Sequence, residues 1–580
     1  MFARALDRAG LVLLSTLLAL VPASLAAGQT ASEFSSWLLQ YTSGDARADA
    51  NGDGVLTPAD FSAFVQSFSI DRANEGGTLT PDKPDAPRTD WTDLRPSPDS
   101  RKIYVSSSGN DSNDGRSPTR PKRTVAAGLR ELRTGYPDWL LLKAGDTFYE
   151  SLSTSWWKRG RSSDEPMVVT RYGEGFRPRL FTGDQSGVSL INDDRREYLA
   201  FVGLHFQGDG DSDRTGMNFV GQNISDVLIE DCFVSGYQQG VVIQGFGGRL
   251  SDFSLRRNVI VDNNGSTHSQ GVYAANTDGL FIEENIFDRN GWTASRGRNA
   301  TGSLFAHNLY IQRDNTGVVF RNNWTSRASA EGYKSRAGGE VNGNVFLDNP
   351  IAVSWGNDGT NDDDRAVTGT INDNLVLGTT DITDSDVRGW GIRVENVAAG
   401  EIKRNIVANA QSTWGFGIAV RSERDRGYVR RFVIGGNIVH NHGTGMEIDE
   451  DLVLSCTVQN NTLSSRQSGE ALFDLRRGTQ ANLLIRDNSY RHLASGRPFE
   501  DGPDFLNFTE WRATNDASAS YLFDTFVNED ATMDDYARSI GMSSASQLYQ
   551  MLRAQRRGNW NTDLTTPAIR AYFREAFSYR

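Results

Sequence analysis

Cysteine is nearly absent from this chain: Cys232 and Cys456 are the only two in 580 residues. That excludes a disulfide framework and leaves stability to an ordinary packed core. Histidine is scarce too, and six scattered residues do not make a zinc constellation. Positive charge is not in excess, since 60 Lys and Arg face 73 Asp and Glu, and a net charge of −13 argues against a general nucleic-acid binder. Only seven of those cations are lysines. No apolar run after the first residues is long enough to span a bilayer. A phosphate loop, a zinc His-Glu-x-x-His helix and a serine nucleophile elbow are all missing. What remains, 38% hydrophobic residues with 58 glycines, is the composition of a folding chain. Its length suits several ordinary domains or one long repeat array with appendages.

Residues 1–26 read as an export signal: Arg4 and Arg8, an apolar run from Leu11 to Val21, then Ser24, Leu25 and Ala26 before a cut at Ala27. A secreted, periplasmic or cell-surface location follows from that reading. Residues 27–72 carry one specific motif. Asp49, Asn51, Asp53 and Asp60 fall at positions 1, 3, 5 and 12 of a twelve-residue loop, with Val55 at position 7 and Gly54 at the sharp turn. This is the spacing that wraps oxygen donors around Ca2+. Glu33 to Leu38 matches Asp60 to Val65 in pattern, an internal repeat whose first copy lacks the ligands. The module resembles a dockerin, which implies a cohesin-like or cell-surface partner; a calcium-stabilised helix pair without a partner is the plainer alternative. Residues 73–99 hold Pro81, Pro84, Pro87, Pro96 and Pro98 and read as a stiff linker.

From about 200 to 490 a phrase recurs, apolar-x-x-Asn-apolar-apolar. Its fourth position falls at Leu204, Cys232, Asn258, Asn285, Asn323, Asn344, Asn374, Asn405, Asn437, Asn461 and Asn488. No amphipathic helix fits between successive phrases, so each repeat is a coil of short strands with Asn stacked at a turn. The predicted fold is all-β, a right-handed parallel β-helix over 100–500, monomeric, with amphipathic helices in 501–580 capping its open end. The two cysteines lie eight coils apart, roughly 38 Å, and cannot pair. Tyr104-Val105-Ser106, then Gly109 to Gly115, then Leu140 to Phe148 resemble the opening coils of exported β-helix polysaccharide enzymes.

Each coil has a second strand whose alternate residues face outward. Aligned on a start usually held by Gly, one outward column reads Val242, Tyr273, Tyr310, Lys334, Ala352, Arg393, Ala419, Glu447. The other reads Gln244, Ala275, Gln312, Arg336, Ser354, Glu395, Arg421, Asp449. His268 and His307 lie at the starts of the Tyr273 and Tyr310 strands, and Trp355 follows Ser354. The coil from Asn285 to Asn323 is overlong, so the loop around Trp292 to Ser303 is expected to wall this strip. An aromatic and cationic strip suits an anionic sugar chain, and a lone Lys334 beside Tyr, His and Arg is a candidate base.

Eliminative cleavage of a uronic-acid polymer needs a cation on the carboxylate, a base for the α-proton and an acid for the leaving oxygen. Arg336 or a bound Ca2+ suits the first task, Lys334 the second, and Tyr310 or His307 the third. Tyr273, His268, Gln312, Arg393 and Trp355 are then substrate-binding. The Lys and Arg arrangement resembles the β-helix alginate lyases and chondroitinase B, which implies a polysaccharide lyase. Two alternatives stay open: a β-helix glycoside hydrolase using paired carboxylates among Glu395, Glu447, Asp449 and the acidic loop Asp358 to Asp364, and a non-catalytic glycan-binding or adhesin-like surface protein.

Overall fold

The structure, a computed structural model, describes residues 91–579 except 153–157, 193–194, 211–212, 266–267, 293–300, 358–365, 413, 422–427, 467–470, 478–481 and 493–495. The export signal, the calcium loop with Asp49, Asn51, Asp53, Val55 and Asp60, and most of the linker lie outside the described residues, as does the acidic loop from Asp358 to Asp364.

The described chain from Trp91 winds into a parallel β-solenoid of about twelve turns with few helices. Three long sheets of 14, 14 and 13 strands run along it, and strands three apart in sequence are neighbours throughout most of each sheet. We call them sheets A, B and C in that order. The reason lies in the corner between A and B. The residue before each ladder position (Asp231, Arg257, Glu284, Asn322, Gly343, Asp373, Arg404, Gly436, Asn460 and Asp487) adopts a left-handed φ between 51° and 71°. One such residue turns the chain sharply, and the Asn that follows repairs the backbone. Asn374 is typical. Its Nδ2 donates to the Val341 carbonyl oxygen at 2.7 Å and to Asn405 Oδ1 at 2.9 Å, while its Oδ1 accepts from the Asn344 backbone N–H at 2.9 Å. The ladder runs from the Cys232 backbone, which donates to Asn258, to Asp516, which accepts from Asn488. Both cysteines are buried and unpaired, as expected.

Inward residues of all three sheets form one continuous core from Ile103 to Trp511. Helix α1 (Val125–Glu131) buries Val125, Ala127 and Leu129 over its first coils. Helix α2 (Phe508–Thr514) closes the far end by stacking Trp511 on Phe499 at 4.9 Å.

The remaining helices form where the sequence places them, but not over the end. Helices α3 (Met533–Ser539), α4 (Ala545–Arg553) and α5 (Thr566–Ala576) lie along the flank. Tyr536, Leu548, Leu552, Ile569 and Phe573 cover the outward side of sheet B at Val259, Ile286, Trp324, Val345, Leu375 and Ile406. The phrase is apolar on both sides of its strand, so sheet B needs a cover; the sequence shows this only once the outward side is identified. Residues 91–94 also differ from a free linker. Trp91 meets Trp560 edge-on at 5.4 Å, and Leu94 packs on Val168, Ala200 and Val202 of sheet A. His440 and His442 are buried.

Candidate active site

Four neighbouring strands of sheet C carry the site: β1 (Gln270–Ala275), β2 (His307–Ile311), β3 (Glu331–Ser335) and β4 (Ile351–Trp355). Parallel pairing fixes their register. Tyr273 pairs with Tyr310, Tyr310 with Lys334, and Lys334 with Ser354. Inward neighbours Val272, Leu309 and Tyr333 are buried, so the alternating residues between them face out. Three coils therefore present Tyr, Tyr and Lys side by side.

The side chains meet as well. The Tyr273 and Tyr310 rings lie edge to face at 5.7 Å, and His307 meets Tyr310 edge-on at 5.3 Å. Lys334 Nζ lies 5.6 Å from the Tyr310 ring centre, and the Arg336 guanidinium 5.3 Å from it. Tyr273, Tyr310, Gln312, Lys334 and Arg336 are half-buried and reach the surface, while His307 and Glu331 are 2% exposed.

Glu331 is the hub of this group. One carboxylate oxygen accepts from Lys334 Nζ at 2.9 Å and the other lies 2.6 Å from His307 Nδ1. Burial alone would raise its pKa, but His307 and Lys334 together outweigh that and hold the carboxyl well below the usual range. Burial pulls His307 the other way from its partner's attraction: desolvation, with Lys334 and Arg336 close by, leaves the imidazole below its ordinary pKa despite Glu331. Burial raises the Tyr273 phenol. The site therefore sets a buried carboxylate and imidazole beneath an outward row of two phenols, an ammonium and a guanidinium. Among the described residues no three His, Cys, Asp or Glu side chains gather as a metal set. Lys334 and Arg336 are two cations of this site.

Other expected residues fall differently. His268 is exposed, its ring 5.5 Å from Phe305. Gln312 follows β2 and is half-buried. Arg393 pairs with Ser354, two strands beyond Lys334, but is 5% exposed, with Nη2 3.2 Å from Glu395 and its guanidinium 5.3 Å from the Trp390 ring. It belongs to a covered floor, because Ile351, Trp390, Phe416 and Ala419 form an outward apolar cluster under Leu304. Leu304 follows the overlong loop, so the described end of that loop does lie against the sheet.

Trp355 is corrected: it points into the core at 1% exposure and cannot bind substrate. Ser354, not Ala352, stands beside Lys334. The sequence alignment began that coil at Pro350, two residues early, because Ala352 occupies the place Gly332 holds in the coil before.

The sequence reading passed over Glu331 as a site residue. Its signal was an acid three positions before the lone lysine. Of the carboxylates considered for hydrolysis, Glu447 is 4% exposed, lies 3.3 Å from both Arg421 and Arg476, and is raised by burial. Asp474 stands in register beside it on the next strand.

No family model matches the chain, and no curated protein matches it. Solved structures do. A GH136 lacto-N-biosidase from Eubacterium ramulus is 13% identical over 73% of this chain and 67% of its own, with a TM-score of 0.33. The A-module of the Azotobacter vinelandii mannuronan C-5 epimerase is 11% identical over 64% of this chain and 91% of its own, with a TM-score of 0.34. A mannuronic-acid-specific polysaccharide family 6 lyase from human gut microbiota is 11% identical over 67% and 78%, also at 0.34.

Proposed function

We propose that this protein is an exported polysaccharide lyase that cleaves a uronic-acid-containing polysaccharide by β-elimination on the outward face of sheet C. One observation carries the reading: Tyr273, Tyr310 and Lys334 stand in register on three successive coils, with Arg336 beside them and His307 and Glu331 beneath. The coils repeat about every 4.8 Å, so a sugar chain lying along the solenoid axis meets one such residue per step. The guanidinium of Arg336 faces the uronate carboxylate and lowers the cost of charge building on its α-carbon. Lys334, His307 and Tyr310 are the groups available to take the α-proton and to protonate the departing oxygen.

The test is incubation with alginate, pectate, chondroitin and sulfated galactans. Ultraviolet-absorbing unsaturated ends are expected on a uronate polymer. New reducing ends without them would transfer the reading to hydrolysis, which the raised Glu447 beside Asp474 favours as second choice. Retained binding without cleavage would make the protein an adhesin-like glycan binder. Residues 27–72 add a Ca2+ site on Asp49, Asn51, Asp53, Val55 and Asp60 and a docking element for a cohesin-like or cell-surface partner. Loss of calorimetric Ca2+ binding in full-length Asp53→Ala is the matching check.

A further inference from the structure

Glu331 is a charged group buried where only function or pairing justifies one. Both of its oxygens lie against titratable groups of the proposed site: one accepts from Lys334 Nζ at 2.9 Å, and the other is 2.6 Å from His307 Nδ1, an ion-pair contact whose ring N–H is not aligned for a hydrogen bond. An ionised carboxylate oxygen only accepts, so a nitrogen approaching it to 2.6 Å is tolerated when that nitrogen carries a hydrogen and repelled when it presents a lone pair. Lys334 meets it as the partner of an ion pair. For the imidazole this means that Nδ1 carries the hydrogen, which leaves Nε2 with a lone pair as long as the ring is neutral.

We infer that Glu331 is a positioning residue that divides the labour at this site: it holds Lys334 as a second cation, beside Arg336, toward the substrate carboxylate and His307 as the neutral imidazole whose Nε2 takes the α-proton. This rests on the eliminative reading above and moves the base from Lys334 to His307. As the α C–H bond breaks, its proton goes to His307 Nε2 and its electron pair forms the new double bond. The C–O bond to the departing sugar breaks, and that oxygen takes the phenolic proton of Tyr310, whose ring lies 5.3 Å from His307. Water then carries the proton from the imidazolium back to the phenolate. The charged and titratable groups facing His307 are Glu331 and Lys334 on β3, Arg336 just past it and Tyr310 on β2. Two cations against one carboxylate oppose a protonated ring in the resting site.

The deciding measurement needs no substrate. In the full chain labelled with 15N-histidine, two-bond proton–nitrogen spectra at pH 7 should show one neutral Nδ1–H tautomer that vanishes in His307→Gln. An imidazolium, or an Nε2–H tautomer, at that position overturns the inference. With a polymer the wild type cleaves, Lys334→Arg keeps the charge but cannot accept a proton, and should retain roughly a tenth of kcat, whereas His307→Gln should lose about 1,000-fold. Equal loss in both, or activity surviving only in His307→Gln, also overturns it. Glu331→Gln should move the acid limb of kcat/KM to lower pH, because the group that raises the imidazole's proton affinity is gone, and Glu331→Asp should restore part of kcat. An unmoved limb in an active Glu331→Gln counts against the inference. If no uronate polymer is cleaved, the eliminative reading fails while the tautomer spectrum still decides the positioning.

Discussion

Asn374→Ala cuts the ladder at mid-solenoid. The wild-type side chain is 2% exposed and serves both neighbouring coils. Its loss removes the acceptor of the Asn344 backbone N–H and Nδ2, both at 2.9 Å, and the donor to the Val341 carbonyl at 2.7 Å. Asn344 Nδ2 keeps a bond to the Phe320 carbonyl, and Asn405 Oδ1 keeps the residue-374 backbone N–H. The principal losses are therefore the Asn344 N–H and the Val341 carbonyl. At about 1–3 kcal/mol for each buried group left unmade, the expected destabilisation is roughly 2–6 kcal/mol. Thr368→Ala, an exposed residue on a nearby strand, serves as the reference and should cost under about 0.5 kcal/mol. Urea unfolding followed by far-ultraviolet circular dichroism gives the difference. Amide exchange should accelerate first at Asn344, since a repeat array loosens locally before it melts globally. If Asn374→Ala matches Thr368→Ala, the side-chain ladder does not hold the coils together and the reasoning from turn chemistry fails.

Three further outcomes follow from burial. Desolvation holds His205 at about 4 and both His440 and His442 at about 3, against an ordinary value of 6.5. Below pH 6.5 the unfolded chain takes up protons that the folded one refuses, so stability falls as pH drops from 6.5 toward 3. For His442 the loss reaches about 4 kcal/mol at pH 3; pH-dependent melting should be shallower in His442→Asn, and an unchanged slope refutes this. Burial also pushes the Cys232 and Cys456 thiols up to about 12, so an aromatic disulfide reagent at pH 8 should label neither until urea unfolds the chain; rapid labelling of the native protein is the contrary result. Arg553 joins α4 to Asp262 at 2.7 Å and to Asp288 at 2.6 Å. Asp288 keeps Arg327 and Ser326, so Arg553→Ala should cost roughly 1–2 kcal/mol and expose the C-terminal helices to limited proteolysis, whereas wild-type resistance would mean that apolar packing alone secures them.

The solenoid was legible in the sequence because a stacked Asn serves the backbone at its corner and so recurs at nine of the eleven ladder positions. The left-handed residue before it was not legible: Asp, Arg, Glu, Asn and Gly all fill that place, since the turn constrains the backbone and not the side chain, which ranges from buried at Asp231 and Arg257 to exposed at Arg404 and Asp487. The outward row Tyr273, Tyr310, Lys334 was readable by alternation while Gly or Asn marked each strand start. It slipped at Ala352, where that marker is replaced. Glu331 was not assigned to the site because a buried carboxylate is identified by the two cation-capable neighbours around it, and one of them, His307, lies on a different coil. The cover over Trp390 was hidden for a similar reason: Leu304 and Phe416 are distant in sequence and meet only when the coils are stacked.

The flank helices have a consequence for how the chain is made. Each coil can rest on the one before it as soon as it emerges, yet the apolar outer surface of sheet B from Val259 to Ile406 waits for partners that begin at Phe526. During synthesis that greasy strip stays bare until the last fifty or so residues arrive, so nascent chains truncated before α3 should be the species that a cell's holding chaperones must shelter.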